Sequence, residues 1–314
     1  VIPVFNSAET IPDLIRAIEA LHVPGGLELI LVNDCSSDQT ESVCRNLLPQ
    51  ALIPITLVNL SRNYGEHSAV LTGLRLARGE WVITMDDDLQ NPPEEVIRLY
   101  EFAKNGSHDV VYTYYETKKH AFWRNWGSRF TNWVADRLLE KPRGLYLSSF
   151  RCMTRFVAEQ AARYTGPFVY VDGLILHITQ NIGRLQVRHL PRAKGQSGYN
   201  LRRLVRLWLN MFVNFSIMPL RVATICGAFL GLAGFLGVAG VFIEYFFFAQ
   251  TPSGWGSLMS ALLLFSGVQL LMLGVAGEYL GRVYLTVNQR PQATIREITY
   301  SPSAAAHAPD AQPV

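Results

Sequence analysis

Residues 80–95 read EWVITMDDDLQNPPEE, and the order of residue types within them decides the fold. Trp81, Val82, Ile83 and Thr84 are aromatic or β-branched, the composition of a buried strand. Three carboxylates follow, Asp86, Asp87 and Asp88. Then come Pro92, Pro93, Glu94 and Glu95, which suit the first turn of a helix. A strand that ends on charge and leads into a helix is the repeating unit of an open sheet covered by helices. The unit recurs along the first 115 residues. Strand-like runs at 27–33 (LELILVN), 54–60 (PITLVNL), 80–86 and 109–115 (DVVYTYY) alternate with amphipathic helical patterns at 11–21, 38–48, 66–78 and 93–105. The expected class is α/β, a parallel sheet with helices on both faces. Ligands in such sheets bind beyond the carboxyl ends of the strands, so polar residues just past a strand are the first candidates for function.

The rest of the 314-residue chain differs in kind. Charged residues make up 17% and apolar ones 49%, against about a quarter charged in an ordinary soluble domain. The apolar excess lies in residues 222–277, whose one charged residue is Glu244. Residues 222–243 and 258–277 are each long enough, at about 1.5 Å per residue, to cross roughly 30 Å of hydrocarbon. A Pro/Gly-containing turn at 251–256 lies between them. The pattern predicts a two-helix transmembrane hairpin. Arg202, Arg203, Arg206 and Arg221 precede it, Arg282, Arg290 and Arg296 follow it, and the loop has no Lys or Arg. Positive flanks stay inside, which places the N-terminal domain and both ends in the cytoplasm. Helical stripes carrying Trp123, Trp126, Phe130 and Trp133, and Leu204, Trp208, Phe212 and Phe215, interleave with arginines and suit the headgroup layer.

The expected organisation is a catalytic domain over 1–198, an amphipathic juxtamembrane helix over 199–220, the hairpin over 221–279, and a cytoplasmic tail over 280–314, disordered after about 301. The formal charge of +3 is too balanced for a chain whose main partner is nucleic acid. Cys35, Cys44, Cys152 and Cys226 are scattered, which argues against a disulfide framework or zinc site and for reduced thiols. No signal peptide is visible, and the first strand is expected to begin upstream of Val1.

Adjacent carboxylates at a strand end repel one another unless something positive neutralises them. A divalent cation shared with a diphosphate fits, because Mg²⁺ and Mn²⁺ prefer oxygen ligands and Mg²⁺ uses one or two carboxylates plus phosphate oxygens. Alternate residues of an extended segment face one way, so Asp86 and Asp88 share a side, with Gln90 as a further oxygen donor. Three more strand ends add groups along the same edge. Asp34 can accept hydrogen bonds from a base or ribose, while Ser36 or Asp38 can cap the following helix. Arg62 and Asn63 follow the third strand, and Pro3, Phe5 and Asn6 belong to the first. Together they outline a nucleotide-binding crevice.

VIPVFN (1–6), NDCSSDQT (33–40), LSRNYGEHSAVLTG (60–73), DDDLQNPPEE (86–95) and GEYLGRVY (277–284), in this order and spacing, resemble the family 2 glycosyltransferases that act on polyprenyl phosphates. Dolichol-phosphate mannose synthases and bactoprenol glucosyltransferases belong there. The wording of 63–69 and 88–95 is nearest the branch that handles 4-deoxy-4-formamido-L-arabinose. The resemblance runs from Val1 to about Arg296. It implies a GT-A (Rossmann-like) glycosyltransferase domain followed by interface helices and the hairpin, an inverting reaction, and Mg²⁺ or Mn²⁺ as cofactor. The implied partners are a nucleotide sugar, UDP-linked, a polyprenyl phosphate such as undecaprenyl phosphate, the bacterial inner membrane, and further copies of the chain, by family habit a homotetramer. The implied role is modification of lipid A or another envelope glycan.

Carried over by position, Pro3, Phe5, Asn6 and Asp34 hold the nucleoside, with Arg62 and Asn63 beside them. Asp86 and Asp87 contact the nucleotide, with Asp86 and Asp88 central to catalysis. Asp88 and Gln90 hold the metal. Arg124, Ser128 and Arg129 meet the acceptor phosphate, and Arg192, Lys194 and Ser197 close over the diphosphate. The chain departs from the family pattern at Ser7, Cys35, Tyr115 and Gly198, where Glu, Gly, Arg and Lys are usual. Lys118 or Lys119 is a candidate substitute for the missing arginine. Cys35 in place of glycine requires the turn to avoid a positive φ or to accept strain.

Two other readings carry their own tests. A processive polysaccharide synthase needs more membrane helices and a QxxRW-type motif, neither of which is present. A non-catalytic transporter subunit or scaffold has no need of an intact Asp86, Asp88 and Gln90, and differs by failing to transfer sugar.

Overall fold

The structure, a computed structural model, describes residues 1–115, 145–188, 190, 254–288 and 291–305, together with isolated positions between 220 and 247. The interface stripes expected at 123–138 and 201–215 lie outside the described residues. The chain divides into two compact units, one of Val1–Tyr199 with Pro291–Val314 and one of Asn200–Arg290.

In the first unit the elements run β1 (Ile2–Val4), α1 (Ile11–Glu19), β2 (Leu29–Asn33), α2 (Thr40–Leu47), β3 (Ile55–Leu60), α3 (Glu66–Leu76), β4 (Trp81–Thr84), α4 (Pro93–Asn105), β5 (Val110–Tyr115), β6 (Arg151–Thr154), α5 (Arg155–Ala162), α6 (Val171–Ile178) and β7 (Ile182–Val187). The eighth strand and last helix of the unit, β8 (Ile295–Tyr300) and α8 (Pro302–Ala305), come from beyond the second unit, whose described helix is α7 (Trp255–Val287).

The strands form two ladders, β1-β2-β3-β8 and β4-β6-β5-β7. Val1 joins them: its amine donates to the Ile83 carbonyl at 2.8 Å, and Met85 N–H donates to the Val1 carbonyl at 3.3 Å. Strand neighbours therefore run β8-β3-β2-β1-β4-β6-β5-β7. The early strands and helices fall where the alternation put them, with ends trimmed by a residue or two.

The all-parallel expectation needs correction. β6 is antiparallel to both β4 and β5, and β8 is antiparallel to β3. β6 is only four residues long, carries a buried arginine, and passes directly into α5, so it leaves no strand signature of the usual length.

Both faces of the sheet are covered, as a strand buried along its whole length demands. β2 and β3 are buried at every residue. On one face, Ile11, Leu14, Ile15 and Ile18 of α1, spaced by three and four, pack with Leu99 of α4 against Leu31, Leu57, Val111 and Cys152. On the other face, Val70, Leu71 and Leu74 of α3 pack with Val82, Tyr112, Met153, Val157 and Ile175. α4 opens on Pro93 with Glu94 and Glu95 in its first turn, closes with Lys104, and is followed by Gly106, which matches the favoured residue types at helix ends.

The segment expected as a tail after residue 280 is in part a strand of the catalytic unit. β8 pairs with β3 from Thr56↔Tyr300 to Leu60↔Ile295. Arg45 of α2 holds Glu297 through two contacts, Nη1 to Oε1 at 2.9 Å and Nη2 to Oε2 at 2.5 Å. Gln292 is buried and bridges Arg75 at 2.6 Å to the carbonyls of Tyr164 and Gly166, both at 2.7 Å. Ser301, fully buried, exchanges bonds with Ile55: Ile55 N–H donates to Ser301 Oγ and Ser301 N–H donates to the Ile55 carbonyl, each at 2.9 Å. Charged side chains are tolerated on such an edge strand, which is why its sequence resembles a solvated tail. Ser301→Ala leaves a buried N–H unpaired, which costs about 1–3 kcal/mol. A lower unfolding midpoint of the detergent-solubilised chain is the expected result, and an unmoved one contradicts this docking.

In the second unit α7 is 33 residues long. Its stretch Phe265–Val287 is, among the described residues, the one helix long and apolar enough to cross a membrane. Leu270, Leu273, Leu280 and Val283 are exposed on it. The expected second span, 258–277, lies within α7, which runs ten residues further and carries a Glu278–Arg282 pair at 2.7 Å. The expected first span, 222–243, falls largely outside the described residues; its described positions are helical. A Cβ at Gly227 would stand 2.9 Å from Met272 Cε, so position 227 lies against α7.

Candidate active site

The carboxyl ends of β1, β2, β3 and β4 lie along one edge of the sheet, and each leads into a residue with positive φ: Asn6 (+55°), Cys35 (+56°), Gly65 (+91°) and Leu89 (+58°). Asn6, Cys35 and Leu89 are the non-glycine cases among the described residues. Left-handed backbone in residues other than glycine costs energy and clusters at functional sites. The structure thus answers the question Cys35 raised: the turn keeps its left-handed shape without glycine. Cys35→Gly is expected to be neutral or to stabilise by up to about 1 kcal/mol, since relief of strain is partly offset by the entropy glycine loses on folding. Cys35→Val, β-branched at the same φ, is expected to destabilise by about 1–2 kcal/mol. Unfolding midpoints in the order Val, Cys, Gly, lowest first, check both.

Asp34 is buried, and both its oxygens accept backbone N–H groups, from Tyr64 at 2.7 Å and Gly65 at 2.8 Å. Burial pushes its carboxyl above the usual range while those two amides pull it down. It therefore ties the end of β2 to the turn between β3 and α3. Asn6 is exposed, and its Oδ1 accepts Ser37 N–H at 2.8 Å. Phe5, just past the end of β1, is 48% exposed. Arg62 and Asn63 are exposed, with the Arg62 guanidinium 4.6 Å from the Tyr64 ring centre. Pro3 sits inside β1, half-buried and paired with Val32, short of the strand end.

The three aspartates have separate surroundings. Asp86 Oδ2 accepts Ser149 Oγ–H at 2.6 Å, which brings the approach to β6 against the end of β4. Asp87 Oδ2 accepts Phe5 N–H at 3.3 Å and the Ser7 hydroxyl. Burial raises the Asp87 carboxyl above its usual range, those two donors oppose the shift, and the neighbouring Asp86 and Asp88 charges add to it. Ser7 thus braces Asp87. Asp88 Oδ1 accepts Gln90 N–H at 3.1 Å across Leu89. Gln90 pairs twice with Leu190, three residues past the end of β7: Leu190 N–H donates to the Gln90 carbonyl at 2.9 Å, and Gln90 Nε2 donates to the Leu190 carbonyl at 3.3 Å. Tyr115 donates its hydroxyl to Asn91 Oδ1 at 3.2 Å.

Beside Asp86 lies a second group of polar residues absent from the sequence reading. Arg151 and Asp172 form a buried ion pair, and Tyr112 OH donates to Asp172 Oδ1 at 2.9 Å. The His67 ring meets Tyr170 edge-on at 5.0 Å, so the first turn of α3 rests against the start of α6. Glu66, the first residue of α3, is exposed and has no hydrogen bond among the described residues. A charged residue inside an otherwise apolar run, Arg151 in SSFRCMT and Asp172 in VYVDGLIL, is the signal that would have found the pair. Arg124, Ser128, Arg129, Arg192, Lys194 and Ser197 lie outside the described residues.

No three His, Cys, Asp or Glu side chains converge as a metal cage among the described residues. The donors present, a run of carboxylates and an amide at one strand end, are oxygen donors of the kind Mg²⁺ and Mn²⁺ favour.

An open mixed sheet with both faces covered, four strand ends turning along one edge, and an aspartate run closing β4 fit a glycosyltransferase of the GT-A fold. Residues 1–163 match the family described as Glycosyl transferase family 2, and the chain belongs to it. It is 35% identical, over 97% of its length and 91% of the relative's, to an undecaprenyl-phosphate 4-deoxy-4-formamido-L-arabinose transferase of Pseudomonas paraeruginosa. It is 36% identical over the same shares to the protein of that name in Pseudomonas aeruginosa. Among solved structures, the glucosyl-3-phosphoglycerate synthase of M. tuberculosis aligns with a TM-score of 0.48 and 20% identity, over 68% of this chain and 76% of that one.

Proposed function

We propose that the chain transfers a sugar, with inversion, from a UDP-linked donor to the phosphate of undecaprenyl phosphate, and that the sugar is 4-deoxy-4-formamido-L-arabinose. The observation that carries this reading is the similarity to transferases of that name across 97% of the chain, both units included. The crevice geometry fits it. The nucleoside lies over Phe5, Asn6 and the exposed Arg62 and Asn63, on the β1–β3 side. Asp34 acts from beneath, holding the Tyr64–Gly65 turn in shape. The diphosphate lies at Asp86, Asp87 and Asp88. Asp88 and Gln90 would hold an Mg²⁺ or Mn²⁺ ion there, and such an ion would supply Lewis-acid neutralisation of charge on the departing diphosphate.

A phosphate monoester has a second pKa of about 6, so the acceptor is largely a dianion at neutral pH and is already nucleophilic. It needs orientation and charge screening, the role assigned to Arg124, Ser128 and Arg129, with Arg192, Lys194 and Ser197 closing over the diphosphate. No catalytic carboxylate base is required. The membrane part is proposed as a hairpin whose second arm is α7, seated in the bacterial inner membrane with the catalytic unit cytoplasmic and the chain assembled as a homo-oligomer. The test is mass spectrometry of the lipid product after incubating the purified chain and undecaprenyl phosphate with a panel of nucleotide sugars. A formamido-pentosyl phosphate lipid is expected, and a hexosyl product from UDP-glucose or GDP-mannose would replace the sugar assignment.

A further inference from the structure

The donor's nucleoside and diphosphate occupy the ends of β1 to β4. Its sugar, bonded to the distal phosphate, must lie past β4 on the side away from the nucleoside. The next strand there is β6, in register with β4 through Thr84↔Arg151. The floor on that side is set by Ser149 against Asp86 at 2.6 Å and by the Arg151–Asp172 pair. One exposed carboxylate on that edge has no hydrogen bond among the described residues: Glu66, at the first position of α3, bracketed by the Gly65 amide on Asp34 and by the His67–Tyr170 contact.

We propose, resting on the functional reading above, that Glu66 is the donor-sugar contact of this enzyme, accepting a hydrogen bond from a ring hydroxyl or amide N–H of the transferred sugar and so setting which sugar is taken. Its surroundings agree. A helix N-terminus by itself favours an ionised carboxyl, yet the Glu66 carboxyl is pushed up to about 7 by the crowding protein and by the charges of Asp86, Asp172 and Asp87, with Arg151 opposing them. Gly65 on Asp34 and His67 on Tyr170 set Glu66 between the end of β2 and the start of α6, on the edge that carries Asp86 and Asp87. A polar group that pairs with one substrate hydroxyl or N–H rejects analogues lacking it more strongly than an apolar wall does.

The experiment uses the full chain in detergent with two probes, UDP and UDP-4-deoxy-4-formamido-L-arabinose, and the variants Glu66→Ala and Glu66→Gln. The expected result for Glu66→Ala is a KM for the sugar donor raised at least tenfold, with UDP affinity unchanged within twofold and the unfolding midpoint unchanged. Glu66→Gln, which keeps an acceptor oxygen, is expected to lie between. An unchanged KM in Glu66→Ala, or an equal loss for UDP and the sugar donor, overturns the proposal while wild-type transfer stands. A wild-type chain that transfers no sugar to lipid phosphate removes the functional reading and this proposal with it.

Discussion

Asp88→Ala lowers the rate of sugar transfer by on the order of 10³-fold, and Asp88→Asn lowers it almost as far. A metal ion on the departing diphosphate supplies several kcal/mol of charge stabilisation, and about 4 kcal/mol is three decades in rate. The pair of variants separates two roles for this side chain. Asp88 Oδ1 accepts Gln90 N–H at 3.1 Å and supports a turn in which Leu89 has φ +58°. Asparagine keeps that acceptor and loses the charge. If the turn mattered most, Asp88→Asn would retain activity; if the charge does, both variants fail together. Chelation supplies the second axis. Removal of Mg²⁺ and Mn²⁺ from the wild type is expected to cost about as much as the substitution, and to cost Asp88→Ala little more, because perturbations of one shared interaction do not add. Full additivity would place the metal elsewhere. The measurement is initial rate of lipid product formation at saturating acceptor, with and without chelator.

Much of this site lay open in the sequence, because periodicity and charge at a strand end are local properties. The helix starts at Ile11, Glu66 and Pro93 follow from apolar spacing and proline placement, and the carboxylate run at Asp86 identifies itself. What stayed hidden depends on contacts between distant residues. β8 is written as IREITY, and only its partner β3, some 240 residues earlier, makes it a strand of the catalytic unit. The direction of β6 cannot be read from four residues. Asp34 reads as a polar group awaiting a ligand, and nothing local says that the Tyr64 and Gly65 amides already point at it. Ser7 and Ser149 are ordinary serines until the fold sets them on Asp87 and Asp86. The left-handed Cys35 marks the limit from the other side: the residue type argued against a shape that the surrounding strand ends impose.

The largest effect on stability is expected at Arg151 and Asp172. Both side chains are nearly inaccessible, at 2% and 10%, so neither charge has water to fall back on. Burial by itself would lower the Arg151 guanidinium, and Asp172 and Tyr112 beside it outweigh that, holding it above its usual range. Burial and the Asp172 charge together push the Tyr112 hydroxyl well above its own. Removing one charge leaves the other stranded in the core, which costs about 3–5 kcal/mol. Asp172→Ala also strips Tyr112 OH of its acceptor. Replacing both partners by apolar residues of similar volume removes the stranded charge, and such exchanges are often neutral or better. The prediction is therefore a sign as well as a size. Asp172→Ala and Arg151→Met each lower the unfolding midpoint strongly, while Arg151→Met with Asp172→Leu recovers most of the loss. A double variant as unstable as the sum of the singles would show that the two side chains hold the β6–α6 contact by shape instead of by charge. Transfer activity should not recover with stability in the double variant, because the Arg151 charge opposes the carboxylates around Glu66.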